Sequence, residues 1–183
     1  MRGRFHPRLP EPRRLLSAFA AIVGLVYSWS ILASFYMLPS WLFYLGTGQL
    51  AAVYAYTFLA AFAESLLFLV VVVVADVVLL RWLLGEAHFA ARSLVIVLVL
   101  LVSGTMRLSM LKHVPPGEAF AQGELRWWLL TAAILGLLVL AVQRSRGFGR
   151  LLEALADRSR IFLLIFMPLT LIAAAAVAWR LIA

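Results

Sequence analysis

Uninterrupted apolar runs are the feature that most constrains this chain. The stretches Leu66 to Val74 and Leu94 to Val102 contain no polar side chain, and several apolar segments reach the roughly 20 residues that a helix needs to cross a hydrocarbon core of about 30 Å. Of the 183 residues, 65% are hydrophobic and 13% are charged, whereas about a quarter of an ordinary soluble domain is charged. A soluble fold could not bury that much apolar surface. The sequence therefore predicts an all-α, polytopic membrane protein.

Five segments are predicted to span the membrane. They cover about 15–38, 56–80, 93–111, 127–143 and 161–179. The first is longer than the h-region of a signal peptide, which has about 7–15 residues, and we interpret it as a retained helix. Pro39 is expected to end this first span. The apolar segment 50–80 is expected either to tilt or to place its first turns in the interface, and Pro168 is expected to lie inside the last span and kink it.

The basic residues predict the orientation. With the N-terminus in the cytoplasm, the inner side would hold twelve of the sixteen Lys and Arg residues and the outer side four, which fits the positive-inside rule and places the C-terminus outside. The inner set is Arg2, Arg4, Arg8, Arg13, Arg14, Arg81, Arg92, Arg144, Arg146, Arg150, Arg158 and Arg160; the outer set is Arg107, Lys112, Arg126 and Arg180. This pattern predicts a prokaryotic plasma (inner) membrane.

Two segments of the predicted inner side are expected to contact anionic lipid headgroups. Residues 1–14 combine five arginines with three prolines, which suits an extended, solvated arm. Residues 144–160 also hold five arginines, and apolar side chains recur there at helical spacing, which predicts a basic amphipathic surface helix. We interpret residues 15–183 as a single transmembrane domain.

Several classes of function lack the residues they need. The net charge of +8 would suggest nucleic acid in a soluble protein, but here the arginines lie between spans, so no nucleic-acid partner is predicted. The absence of cysteine excludes disulfides, thiolate catalysis and Cys-based metal sites. His88 and His113 fall on opposite sides of the predicted membrane and cannot share a haem. We therefore predict no cofactor, no metal site and no catalytic residue.

Acidic residues inside the apolar segments are the candidate functional residues. Glu64 and Asp76 are the two, and a charge near the centre of a bilayer costs at least about 2.5–3.5 kcal/mol. Counting residues from the turn at 81–92 places Glu64 and Arg107 at similar depth, so we predict that they form an intramembrane ion pair. That pair would either fix the register of two helices or make Glu64 a protonatable group in a transport path. For Asp76 we expect Arg81 or water as its partner near the inner face.

Two further patterns have ordinary structural interpretations. The aromatic residues of the first span and the loop after it could line a lipid, quinone or glycan site, but an aromatic belt at the interface explains them better. Ala132 and Gly136 have the spacing of helices that approach closely, within the chain or between chains.

The function expected from these features is that of a non-enzymatic membrane subunit or scaffold, associated with a membrane-protein partner, with further copies of itself or with lipids. The alternative is a small transporter or channel component that uses Glu64, and a further alternative is a lipid- or glycan-handling enzyme or its anchor subunit. A five-helix bundle with an outside C-terminus also resembles the membrane anchor half of the lipoteichoic acid synthase type of sulfatase-fold enzymes. That resemblance concerns topology alone and assigns no role to any residue.

Overall fold

The computed structural model describes residues 11–77, 88–111 and 120–182, with the backbone only at Leu111 and at 120–122. These residues are helical apart from short connections, and no strand occurs among them. The helices are α1 (Pro12–Tyr44), α2 (Thr47–Ala75), α3 (Phe89–Leu111), α4 (Phe120–Arg144), α5 (Arg146–Arg158) and α6 (Arg160–Ile182). Five of them are long and apolar enough to span a membrane: α1 to α4, and α6 in a continuous stretch with α5. The all-α fold and the five apolar helices agree with the prediction.

The first helix is longer than expected at both ends. It begins at Pro12, because the fixed φ and missing N–H of proline suit the first turn of a helix. The residues at 12–14 are therefore helical and not extended, while residues 1–10 of the predicted arm lie outside the described part. Pro39 does not end α1 either: it removes one hydrogen bond, but the helix continues to Tyr44, and Leu45 N donates to the carbonyl of Trp41 at 2.8 Å.

The other boundaries also shift outward. α2 begins at Thr47 and has 29 residues, about 43 Å of helix at 1.5 Å per residue. Its predicted end at residue 80 lies outside the described residues. α3 begins four residues earlier than predicted and α4 seven residues earlier. Because α4 begins earlier than predicted, Glu124 lies within this helix.

The core forms around the N-terminal halves of α1 and α3. α1 packs against α2, α3, α5 and α6, whereas α4 packs mainly on α3 and α5. Small and β-branched side chains fill the centre, among them Ala18, Ile22, Val26, Ala91 and Val97, all at most 1% exposed. One end of the bundle therefore has a dense core. We call it the α5 end, since α5 lies there beside the start of α1, α3 and α6.

Towards the opposite end the helices present large apolar faces to their surroundings. Tyr36, Phe43 and Tyr44 of α1 are more than 80% exposed, and so is Ile182 at the end of α6. Side chains of this kind are stable in contact with lipid or with another apolar protein surface.

Candidate functional site

Asp76 and Arg92 form a buried ion pair between α2 and α3. Arg92 Nη2 lies 2.7 Å from Asp76 Oδ1, and the two side chains are 1% and 8% exposed. The chain widens into a π-type turn at Asp76 and Val77, directly after α2. Arg81, the partner expected for Asp76, lies outside the described residues. The structure thus gives this acid an arginine from the next helix.

Arg107 pairs with Glu124 of α4, and the predicted pair with Glu64 is not formed. Arg107 Nε lies 2.6 Å from Glu124 Oε1, and Trp128 Nε1 donates to Glu124 Oε2 at 2.9 Å. The predicted fourth span began only at 127 and left Glu124 outside it, whereas α4 already begins at Phe120. Gly123, one position before the acid, lies beside the arginine: a Cβ there would be 3.4 Å from Arg107 Nη2.

Glu64 instead lines a cleft between α2 and α3. The cleft has a volume of about 460 Å³ and is lined by Trp29, Glu64, Leu67, Phe68, Val71, Leu100, Leu101, Gly104, Thr105 and Leu108. Glu64 therefore lies beside Gly104 and Leu108 of α3. Successive residues of a helix point about 100° apart, so the side chain of Arg107 faces α4 while the cleft lies on another side of α3. We call this feature the Glu64 cleft.

Hydroxyl groups and ring nitrogens connect the helices at other depths. The hydroxyl of Tyr27 lies 3.1 Å from the carbonyl oxygen of Phe58 and 2.5 Å from the hydroxyl oxygen of Thr170. Its ring stacks on Phe166, with the ring centroids 4.5 Å apart. Between α3 and α4, the hydroxyls of Ser103 and Thr131 are 2.7 Å apart. Tyr27 is thus a core side chain that joins α1, α2 and α6, which is not the environment of an open aromatic ligand site.

A second cleft, of about 680 Å³, opens at the α5 end. It is lined by Glu11, Arg13, Arg14, Ser17, His88, Phe89, Ala90, Glu153, Asp157 and Arg160. Three arginines and three carboxylates thus face one space at the edge of the bundle. We call it the charged cleft.

A contact among three side chains forms one wall of the charged cleft. Asp157 Oδ1 lies 2.8 Å from Ser17 Oγ and 3.2 Å from Arg160 Nη2, and Arg160 Nη2 also donates to Ser17 Oγ at 2.6 Å. Ser17 is 2% exposed, so the hydroxyl is held in place where α1, α5 and α6 meet. No sequence motif indicated this contact, since Ser17 and Asp157 are 140 positions apart.

His88 supports the other wall. Its Nδ1 lies 3.1 Å from Glu153 Oε1, and a Cβ at Gly149 would come within 3.2 Å of its ring. Its φ of 62° is in the left-handed region, which histidine tolerates better than most residues. His88 therefore joins the start of α3 to α5. Among residues 11–77, 88–111 and 120–182, no three His, Asp or Glu side chains converge as a metal site would require.

Comparison with models of known protein families, with curated proteins and with solved structures finds no match for this chain.

Proposed function

We propose that this chain is a multi-pass membrane subunit that holds another membrane protein, and that it acts by binding and not by catalysis. The observation that carries this proposal is that two ion pairs join neighbouring helices of the bundle. Asp76 is tied to Arg92 and Arg107 to Glu124, each across a pair of helices. Groups used in this way fix helix register and leave little freedom for proton or solute transfer.

The outer faces of the bundle support the same proposal. α4 contributes few buried side chains, and its residues Leu129, Leu137 and Leu140 are more than half exposed. Ala132 and Gly136 lie on exposed positions of the same helix, where small residues permit close approach of another helix. An α4 face of this kind suits a second membrane protein or a further copy of the chain.

The proposed orientation puts the α5 end in the cytoplasm and the C-terminus outside, in a prokaryotic plasma membrane. Eight arginines of the described residues lie toward the α5 end and three toward the opposite end. The first set is Arg13, Arg14, Arg92, Arg144, Arg146, Arg150, Arg158 and Arg160. Exposed members of this set would contact anionic headgroups, each contributing about 1 kcal/mol near the surface.

The direct test is the mass of the particle extracted from its own membranes. We expect native mass spectrometry in mild detergent to show the chain with a second polypeptide at fixed stoichiometry. If the chain is extracted without a second polypeptide at every detergent concentration below the denaturing range, the proposal is wrong.

The second candidate is a transport component, and one observation favours it: Glu64 is an exposed carboxylate in an apolar cleft at the middle of α2. A proton or cation path would require this group to titrate. Proteoliposomes that contain the wild-type chain or Glu64→Gln separate the two candidates. Flux that disappears in Glu64→Gln would favour transport, and the scaffold proposal expects no flux from either protein.

A further inference from the structure

The position of Glu64 along α2 puts its carboxylate deep in the proposed membrane. It follows Thr47 by 17 residues and precedes Asp76 by 12, or about 25 Å and about 18 Å at 1.5 Å per residue. Both distances exceed half of a hydrocarbon core about 30 Å thick. The carboxylate of Glu64 therefore lies within the hydrocarbon core of the proposed membrane, whichever end of α2 extends beyond it.

The walls of the Glu64 cleft provide no counter-charge. Glu64 is the only ionisable side chain among the described residues that line it. The arginine nearest in depth, Arg107, is held by Glu124 at 2.6 Å, and Arg92 is held by Asp76. The hydroxyl of Thr105 donates to its own helix, to the carbonyl of Leu101 at 2.8 Å. Within the described part of the chain, the carboxylate of Glu64 therefore has no ion-pair partner.

The shape of the cleft fits a helix better than a small ligand. Its rim consists of long apolar side chains, with Leu67 and Leu108 both 66% exposed and Val71 48% exposed. Its floor includes Gly104, where a Cβ would meet nothing within 4 Å. Small residues flanked by leucine and valine are typical of surfaces on which transmembrane helices approach each other closely.

We propose that the Glu64 cleft receives a transmembrane helix of a partner protein that carries a lysine or arginine at mid-bilayer depth, and that this cation pairs with Glu64. The proposal rests on the scaffold function and names the chemistry of its partner. Charge complementarity selects this occupant, because a carboxylate in hydrocarbon requires a cation or a strong donor, and lipid tails offer neither. Leucine and valine on the partner would fill the rim.

The test uses synthetic transmembrane peptides that differ in one central residue. Three Leu/Ala-rich helices carry Lys, Gln or Leu at the middle, each with a donor dye at its end. The protein has no cysteine, so Val74→Cys, on exposed α2 surface outside the cleft, takes a single acceptor dye. Energy transfer in proteoliposomes of neutral lipid then reports association as the peptide concentration is varied.

The Lys peptide is expected to associate about tenfold more tightly than the Leu peptide. This preference should disappear in Glu64→Gln, which keeps the size of the side chain and removes its charge. If the Gln peptide associates as tightly as the Lys peptide, the proposal that the partner carries a cation is wrong. Equal association of all three peptides, or a preference that survives in Glu64→Gln, would overturn the site.

Two glycine variants provide an independent control. Gly104→Leu adds a large side chain to the cleft at a position where a Cβ meets nothing within 4 Å, and it keeps Glu64 in the sequence, so it should abolish association of the Lys peptide. Gly48→Leu makes the same change at the start of α2, outside the cleft, where a Cβ also meets nothing within 4 Å, and should retain it. Equal behaviour of the two variants would contradict the proposal.

The outcomes separate this inference from the proposed function. If the native complex persists in Glu64→Gln and Gly104→Leu, the Glu64 cleft is not the binding site, and the scaffold function still stands. A chain that is alone in its membranes but binds the Lys peptide through Glu64 contradicts the scaffold function. Energy transfer between two labelled copies of the protein that is lost in Glu64→Gln would identify the occupant as a second copy, and so would overturn the proposed partner.

Discussion

At the scale of single residues, the stability of the bundle depends on which charges have partners. The side chains of Asp76 and Arg92 are 8% and 1% exposed, so replacing either one breaks a buried ion pair. The Asp157–Arg160 pair lies in the open, with side chains 64% and 40% exposed. These two pairs have similar chemistry and different surroundings, which makes them a matched comparison.

We expect Asp76→Asn to destabilise the protein by about 3–5 kcal/mol, because it breaks a buried ion pair. Asp157→Asn should change the stability by less than about 1 kcal/mol, since water solvates Arg160. Unfolding in mixed micelles with increasing SDS, followed by circular dichroism, measures both. Equal midpoints for the two variants would mean that the Asp76–Arg92 pair does not hold α2 to α3.

Gly24 gives a second comparison at this scale. A Cβ at this buried position would lie 2.6 Å from Phe162 Cδ2, closer than real atoms approach, whereas a Cβ at Gly136 meets nothing within 4 Å. Gly24→Ala should therefore destabilise the α1–α6 contact by about 1–3 kcal/mol. Gly136→Ala should be neutral or stabilising by up to about 1 kcal/mol, through helix propensity.

The same unfolding assay decides between these expectations. Replacing Phe162 by Leu in the Gly24→Ala background should restore part of the loss, because the ring is the group that the new methyl would meet. If Gly24→Ala is as stable as Gly136→Ala, α1 and α6 do not approach as closely as the structure indicates.

At the scale of helices, the sequence predicted the number and order of the apolar elements because each needs about 20 apolar residues, a signal that does not depend on packing. The ends were harder to predict. The fourth span was predicted to begin only at 127, yet Gly123 is helical and makes room for Arg107. Counting residues along α2 gives the depth of Glu64. The side of α3 from which the Arg107 side chain points matters only once the position of α4 is known, and the sequence does not give that position.

α5 allows a test of an element as a whole. Its residues Gly149, Leu152 and Ala156 face the bundle, while Phe148, Leu151 and Leu155 form an exposed apolar stripe. Arg146 and Arg150 lie on a different side of the helix. We expect a helix with this distribution to lie in the membrane interface, with the stripe toward the acyl chains and the arginines toward water.

Nitroxide labels on single cysteines measure this arrangement. We expect a label at Leu151→Cys to collide with oxygen, which concentrates in lipid, and a label at Arg150→Cys to collide with a water-soluble nickel chelate. Equal access of the chelate to both labels would show that α5 does not lie in the interface.

At the scale of the whole molecule, the bundle has a dense, basic end and an open, aromatic end. Each end has an exposed glycine near the start of a helix. Gly147 is the second residue of α5, at the basic end, and Gly48 is the second residue of α2, at the aromatic end. A side chain at either would meet nothing within 4 Å, so cysteine there should not disturb the fold. They form a matched pair for sidedness.

An impermeant maleimide added to intact cells should label Gly48→Cys and should label Gly147→Cys only after the membrane is permeabilised. This is the pattern expected if the α5 end is cytoplasmic. The reverse pattern would invert the proposed orientation, and labelling of both cysteines in intact cells would contradict a membrane-spanning bundle.

Cross-linking in native membranes tests most directly whether the chain is a subunit that holds another membrane protein. Single cysteines on the exposed faces of α2, α4 and α6, at Val70, Leu137 and Leu171, would carry a short photoreactive maleimide. The account predicts that at least one face yields a discrete adduct with a second polypeptide, while another face yields none. Adducts with lipid alone from all three faces would contradict it.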